Sequence, residues 1–333
     1  MDPFSHLLLG YLLGFGLWGP SGLQYVVAAA VAGALPDGDV ALTLLSKRFP
    51  LLRHRGISHS LVGVTVIAAA GAFLLPAALG HFFGSSFARG STAFYFVAME
   101  VGGLSHVLLD SMDHWSVPIL APFSDHEYRF DADRIVNVGS MSFTVLSYAI
   151  LLDERGRAPV WLWSVTSWEL LALALGYISA RLLARWRAGL AARDTGFGRV
   201  IPQASPLEFV LVSDEMRGPE RLIRKGRWDL LRGRLSEEES LVLRPVPPSP
   251  ATRGTEEEAL GRTHDPALKS SWILGETLHF GRTRTVPHGV EVFWYSLEMT
   301  FWGRAAGVLA RWNTETGEVS VRNVWRDPAR PFG

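Results

Sequence analysis

The chain has 333 residues, of which 48% are hydrophobic and 19% charged, with a mean hydropathy of +0.17. That is too apolar for an ordinary soluble globule and too uneven along the chain for a purely membrane-embedded one. Formal net charge is zero and there are no cysteines: no global field favours nucleic acid, disulfides and thiolate metal sites are excluded, and histidine, carboxylate and water are the available metal ligands.

In chain order, residues 4–18 (FSHLLLGYLLGFGLW) and 23–35 (LQYVVAAAVAGAL) are apolar runs below the ~20 residues a helix needs to cross the hydrocarbon core. Each reads as a short span packed inside protein or as a re-entrant piece. The opening MDPFSH has no basic stretch and no small-residue cleavage site, so it reads as mature sequence rather than a signal peptide. Residues 60–79 and 91–110 have spanning length, residues 140–152 form another short run, and residues 159–186 a longer one. The last ends in Arg181, Arg185 and Arg187, with Trp161, Trp163 and Trp186 placed as interfacial anchors. Counting every run gives six crossings. Lys47, Arg48, Arg53 and Arg55 follow the second run and four arginines (181, 185, 187 and 193) follow the last, which puts both regions in the cytoplasm. The expectation is a mainly α, polytopic membrane helical bundle over residues 1–190, multi-pass in the cytoplasmic (inner) membrane.

Beyond residue 190 the pattern changes to short alternating or β-branched runs such as SPLEFVLVSDE, GVEVFWYSLEMTF and GEVSVRNVW, separated by turn residues. Residues 191–333 therefore read as a small β-rich soluble domain, on the cytoplasmic side, with a flexible polar, Pro-rich segment around 236–268. There is no internal repeat and no Gly-rich phosphate loop.

With six crossings, the polar residues of the first half collect at one end of the spans: His6, then Asp37 and Asp39 in PDGD, then His54, Arg55 and His59 in HRGISHS, then His106, Asp110, Asp113 and His114 in SHVLLDSMDH. His106 and Asp110 are four apart and share a helical face, with His114 one turn further on. Two carboxylates in PDGD suit a hard or borderline divalent cation, although PDGD is also ordinary turn chemistry and a lone His6 is ordinarily a hydrogen-bonded or interfacial residue. The HxxxD pair at a span end is harder to dismiss, because ionisable residues near membrane depth are costly and usually functional. Gly56 gives room for the turn between His54 and His59. Glu100 and Glu169, inside spans, read as helix-to-helix hydrogen-bonding residues. His126, Asp131 and Asp133 are further candidate ligands, while His81, His264, His279 and His288 read as isolated histidines outside the site.

His6, PDGD at 36–39, HRGISHS at 54–60, SHVLLD at 105–110 and VPILAPFS at 117–124 together resemble the inner-membrane, metal-dependent hydrolases of the YdjM type. The ordered likeness covers roughly residues 1–135. The order of His, Asp, His and HxxxD is also similar, more distantly, to that of zinc-dependent phospholipase C and P1 nuclease. The resemblance implies metal ligation by His6, Asp37, His59, His106 and Asp110, with Asp39 and His54 at or beside the metal and Arg55 placed to hold an anionic oxygen. Asp113 and Trp115 depart from it, standing where small or hydroxyl residues are expected.

The functional expectation is a membrane-bound hydrolase of a phosphoester or lipid-like substrate. One or two divalent ions, zinc first and manganese second, would activate water, with Asp37 or Asp39 orienting or deprotonating it and Arg55 stabilising developing negative charge. The partners expected are the lipid bilayer and a small or lipid-like substrate, with no nucleic acid. The alternative is a non-catalytic metal-binding membrane protein used in ion transport, sensing or scaffolding.

Overall fold

A computed structural model of the chain describes residues 3–42, 55–113, 115–134, 137–157, 160–203, 205–218, 220–243, 256–270, 279–301, 304–328 and 330–332. The chain divides into two compact units, Met1–Arg185 and Trp186–Gly333.

The first unit is helical: α1 (Pro3–Trp18), α2 (Leu23–Ala34), α3 (Leu61–Phe83), α4 (Thr92–Ser111), α5 (Val138–Arg157) and most of α6 (Val160–Asp194), with short 3₁₀ segments at Leu35–Leu42 and Ile57–His59. Among the described residues three helices are long and apolar enough to cross a membrane, Leu61–Phe83, Thr92–Ser111 and Val165–Asp194, and not the six that counting apolar runs gives. The reason is length. Helices α1 and α2, with 16 and 12 residues, reach only about 24 and 18 Å at 1.5 Å per residue, short of the ~30 Å hydrocarbon core. The apolar part of α5, Val138–Asp153, is likewise shorter than a span. Helix α3, one of these candidate spans, buries only a narrow stripe of Gly63, Val64, Ala68, Ala72 and Leu79, and Val66, Phe73, Leu74 and Phe82 stand exposed, as a lipid-facing surface would require.

Small residues let the backbones approach closely enough to gather the polar end. A Cβ at Gly33 of α2 would lie 2.5 Å from the carbonyl oxygen of His6, and one at Gly102 of α4 would lie 2.1 Å from that of Ala29. Only glycine fits either position, so α2 seats directly against α1 and α4. Ser60 caps α3 by accepting the Gly63 N–H at 3.0 Å, so His59 falls in the turn just before the helix.

The second unit contains two four-stranded antiparallel sheets in sequential order, β1 (Arg199–Pro202), β2 (Glu208–Arg217), β3 (Glu220–Asp229) and β4 (Arg234–Leu243), then β5 (His279–Val286), β6 (Gly289–Phe301), β7 (Arg304–Asn313) and β8 (Val319–Arg326). A helix, α7 (Glu256–Ser270), contributes Ala259, Leu260 and Ala267 to one core with Ile201, Val212, Phe293, Trp294 and Trp312. The β-rich expectation is met; of the segment read as flexible around 236–268, residues 236–243 lie in β4 and 256–268 in α7, and the Pro-rich residues 244–255 lie outside the described residues. Its acidic, Pro-containing composition conceals an amphipathic helix, whose apolar positions 259, 260 and 267 lie on one face.

Candidate metal centre

Four helix ends meet at one end of the first unit: the start of α1, the end of α2 with the 3₁₀ turn after it, the turn before α3, and the end of α4. They bring together Asp37, His59, His106 and Asp110, one ligand atom of each lying within 4.8 Å of all the others. His59 Nε2 is 3.1 Å from His106 Nε2, 3.6 Å from Asp37 Oδ1 and 3.4 Å from Asp110 Oδ2. His106 Nε2 is 3.7 Å from the same Asp37 oxygen and 3.8 Å from the same Asp110 oxygen. A tetrahedral ion with bonds of about 2.0–2.2 Å requires ligand atoms about 3.3–3.6 Å apart, so the five distances bracket the edges of such a tetrahedron. Two imidazoles and two carboxylates form a donor set that fits zinc, and also manganese.

Both histidines are turned the right way for this. His106 Nδ1 donates to the Gly33 carbonyl oxygen at 2.7 Å, which leaves Nε2 with its lone pair facing the cluster. On the far side of His59, Nδ1 lies 3.3 Å from Asp39 Oδ2 and 3.0 Å from Ser58 Oγ. Asp39 is held in turn by the Ser58 hydroxyl at 2.5 Å and by the Arg55 backbone N–H at 3.2 Å. The two carboxylates of PDGD are therefore divided: Asp37 faces the ligand side of His59, and Asp39 orients its ring from behind.

Burial works against charge on His59, yet bonds to Asp110, Asp37 and Asp39 hold its pKa up to about 10. Burial would also raise Asp37, but the contact with His59 and the nearby His106 keep its carboxyl below the ordinary value. The cluster favours positive charge at its centre, which a divalent ion supplies.

Arg55 is buried, and its backbone is in the left-handed region at φ 58°. The positive φ thus falls on Arg55 and not on Gly56, whose φ is −87°. Such a conformation persists in a non-glycine residue only when its surroundings over-determine it. Here Asp39 holds the backbone N–H, Nε lies 3.1 Å from Asp110 Oδ2, Nη2 donates to Asp113 Oδ2 at 3.2 Å, and Nη1 donates to the Trp115 carbonyl at 3.1 Å. The guanidinium also lies 5.4 Å from the centre of the Trp115 ring. Asp113 and Trp115 thus join Asp39 and Asp110 in fixing Arg55.

His6 lies beside the quartet: its ring stacks on His106 with centroids 3.9 Å apart, and its Nε2 is 3.2 Å from Asp110 Oδ1, the carboxylate oxygen turned away from the other three ligands. His54 and His114 lie outside the described residues. His126 is exposed, 4.6 Å from the Tyr128 ring. Asp131 is buried apart from the quartet, near Arg129 at 3.8 Å. Asp133 is buried with Tyr177, which donates to it at 2.9 Å, and Arg181 at 3.6 Å, so Arg181 points into the protein and is not an interfacial anchor. Glu100 accepts from Thr65 across α3 and α4 at 3.0 Å, whereas Glu169 is exposed on α6. Ser58 and the Gly33 carbonyl escape a search for ligand residue types, since neither is one. The only sequence signal for Ser58 is its place beside His59 in HRGISHS.

The family model described as YdjM inner membrane protein matches residues 1–188. No curated protein and no solved structure matches the chain. None of these comparisons carries the likeness to zinc-dependent phospholipase C and P1 nuclease that the ligand order suggested.

Proposed function

The chain belongs to the YdjM family of inner membrane proteins, and we propose that it is a metal-dependent hydrolase acting on a phosphoester or lipid-like substrate at the membrane surface. The observation that supports this most is the quartet of Asp37, His59, His106 and Asp110, whose ligand atoms converge at the end of a helical bundle. A divalent ion in this donor set supplies Lewis acidity and acidifies water.

The chain's own residues provide the rest. The Asp37 side chain is 15% exposed against 1% for Asp110, so water and substrate arrive on its side. With Oδ1 turned to the histidines, Asp37 Oδ2 is the oxygen that takes the water proton. Asp39 and the Gly33 carbonyl hold the two imidazoles in their ligating tautomers. Arg55 neutralises Asp110 and Asp113 and places a permanent positive charge at the end where negative charge develops. Lys47, Arg48 and Arg53 lie between Asp37 and His59 in sequence, which suits an anionic headgroup and a cytoplasmic position for this end and for the C-terminal domain.

The test is turnover by the detergent-purified, zinc- or manganese-loaded protein on a panel of phosphomonoesters, phosphodiesters and phospholipids, with Asp37→Asn and His106→Ala beside it. The proposal expects chelator-sensitive hydrolysis that drops at least about 100-fold in both variants, as loss of a group acting at the reacting atoms does. Hydrolysis unchanged in both variants, or no turnover by ion-loaded protein on any of the panel, refutes it and leaves a sensing, transport or scaffold role for the bound ion.

A further inference from the structure

The β-rich unit holds a second pair of histidines, far in sequence from the quartet and beyond the reach of the family match. His264 lies on α7 and His279 opens β5, with their Nε2 atoms 2.7 Å apart and ring centroids 4.9 Å apart. Trp294 of β6 presents its ring to both, at 5.1 and 5.8 Å and near right angles. Trp294 is itself fixed by donating from Nε1 to Thr263 Oγ1 at 2.9 Å. Three separate elements thus hold two imidazoles nose to nose. His279 is buried while the His264 side chain is 20% exposed, so solvent and solutes reach the pair from the helix side.

The protonation pattern follows from the neighbours. Asp265 Oδ1 lies 3.4 Å from His264 Nδ1, which favours the proton on that nitrogen and leaves Nε2 as a lone pair. The short Nε2 to Nε2 contact then takes its proton from His279. A metal ion replaces that single shared proton with little movement. Adjacent ligands on an ion with metal–nitrogen bonds of about 2.0–2.1 Å lie about 2.9–3.4 Å apart, so the two rings need to part by only a few tenths of an ångström. The arrangement of carboxylate, imidazole and open solvent is the one that steadies a histidine for ligation.

We propose that His264 and His279 form a second metal site, for a late first-row transition ion of the copper, nickel or zinc type. Imidazole suits these ions, and the chain has no thiolate to offer. Water completes the coordination, with Asp265 steadying His264 from behind through Nδ1. An ion bound there joins α7 to β5.

The experiment uses full-length protein in detergent, stripped by chelation and titrated with copper(II) alone, followed by electron paramagnetic resonance. The expected result is a copper signal with hyperfine coupling to two imidazole nitrogens that disappears in His264→Gln and in His279→Gln. Any signal from the membrane-unit quartet is identified separately by its loss in His106→Ala. Asp265→Asn, at an exposed position, keeps the fold and weakens copper affinity about 10-fold, the lower range for loss of a partner behind a ligand. If every copper signal survives in His264→Gln and His279→Gln, or if Asp265→Asn binds copper as tightly as wild type, the site does not exist.

Discussion

In the helical unit the fully buried residues include His6, His59, His106, Asp110 and Asp113, whereas in the β-rich unit they include Val290, Val292, Phe293 and Val308. Burying the second set drives folding. Burying the first set opposes it unless each group is paired and hydrogen-bonded: Asp39 meets His59, the Gly33 carbonyl accepts from His106, Arg55 meets Asp110 and Asp113, and His6 meets Asp110 through Nε2 while its buried Nδ1 has no hydrogen-bond partner among the described residues. The two units thus place their most constrained residues in opposite service: one keeps a charged cluster buried at the end of a bundle, the other packs an aromatic core. Substitutions in the two sets should therefore fail in different ways.

The largest effect on stability is expected from Phe293→Ala, which should lower the unfolding free energy of the β-rich unit by about 3–5 kcal/mol and leave divalent-metal content unchanged, read by calorimetry and elemental analysis on the same sample. His106→Ala should do the reverse, weakening divalent-metal affinity at least about 100-fold, more than loss of a supporting partner costs, with the melting of the β-rich unit unaltered. Asp39→Asn sharpens the comparison within PDGD: with the carboxylate behind His59 gone, affinity should fall about 10–100-fold, and a titration showing no change would mean that Asp39 does not orient the ring. Gly102→Ala brings a Cβ against the Ala29 carbonyl, and a cost of about 1–3 kcal/mol for such overpacking should appear as a lower melting temperature of the helical unit.

The smallest effect is a proton. Because His59 is held charged up to about 10, ion binding at pH 7.5 should displace about one proton from the site, measurable by titration calorimetry in buffers of different ionisation enthalpy. The same raised pKa means that charged His59 stabilises the ion-free protein in full below about pH 6.5, and that this contribution fades as pH rises toward 10. A flat alkaline stability profile for the chelated protein would contradict the ring's three carboxylate contacts.

The parts of this arrangement that were readable from sequence are those governed by local pattern. His106 and Asp110, four apart on α4, share a helical face, and the β-branched and aromatic runs between turn residues mark the strands from Gly289 to Phe301 and from Val319 to Arg326. Readings that depend on distant contacts fared differently. Nothing in PDGD distinguishes Asp37 from Asp39, because the two are separated by which side of His59 each meets. Hydropathy sees α1 and α2 as membrane-like, yet both are shorter than a span, and the close seats at Gly33 and Gly102 pack α2 directly against α1 and α4. Arg181 looks like an anchor at a span end until Asp133, 48 positions earlier in the chain, is placed beside it. His264 and His279 look isolated for the same reason: only the docking of α7 brings them together.

The central claim, that Asp37, His59, His106 and Asp110 hold an ion, is tested most directly by the metal content of the detergent-purified protein measured by elemental mass spectrometry, wild type against Asp110→Ala. Asp110 touches His6, His59, His106 and Arg55 at once, so no other single carboxylate is as central to the cluster. A stoichiometric divalent transition metal is expected in wild type, and its loss in the variant while the β-rich unit stays folded. A wild-type protein that carries no such metal even after reconstitution, or an Asp110→Ala variant that keeps it in full, would contradict the account.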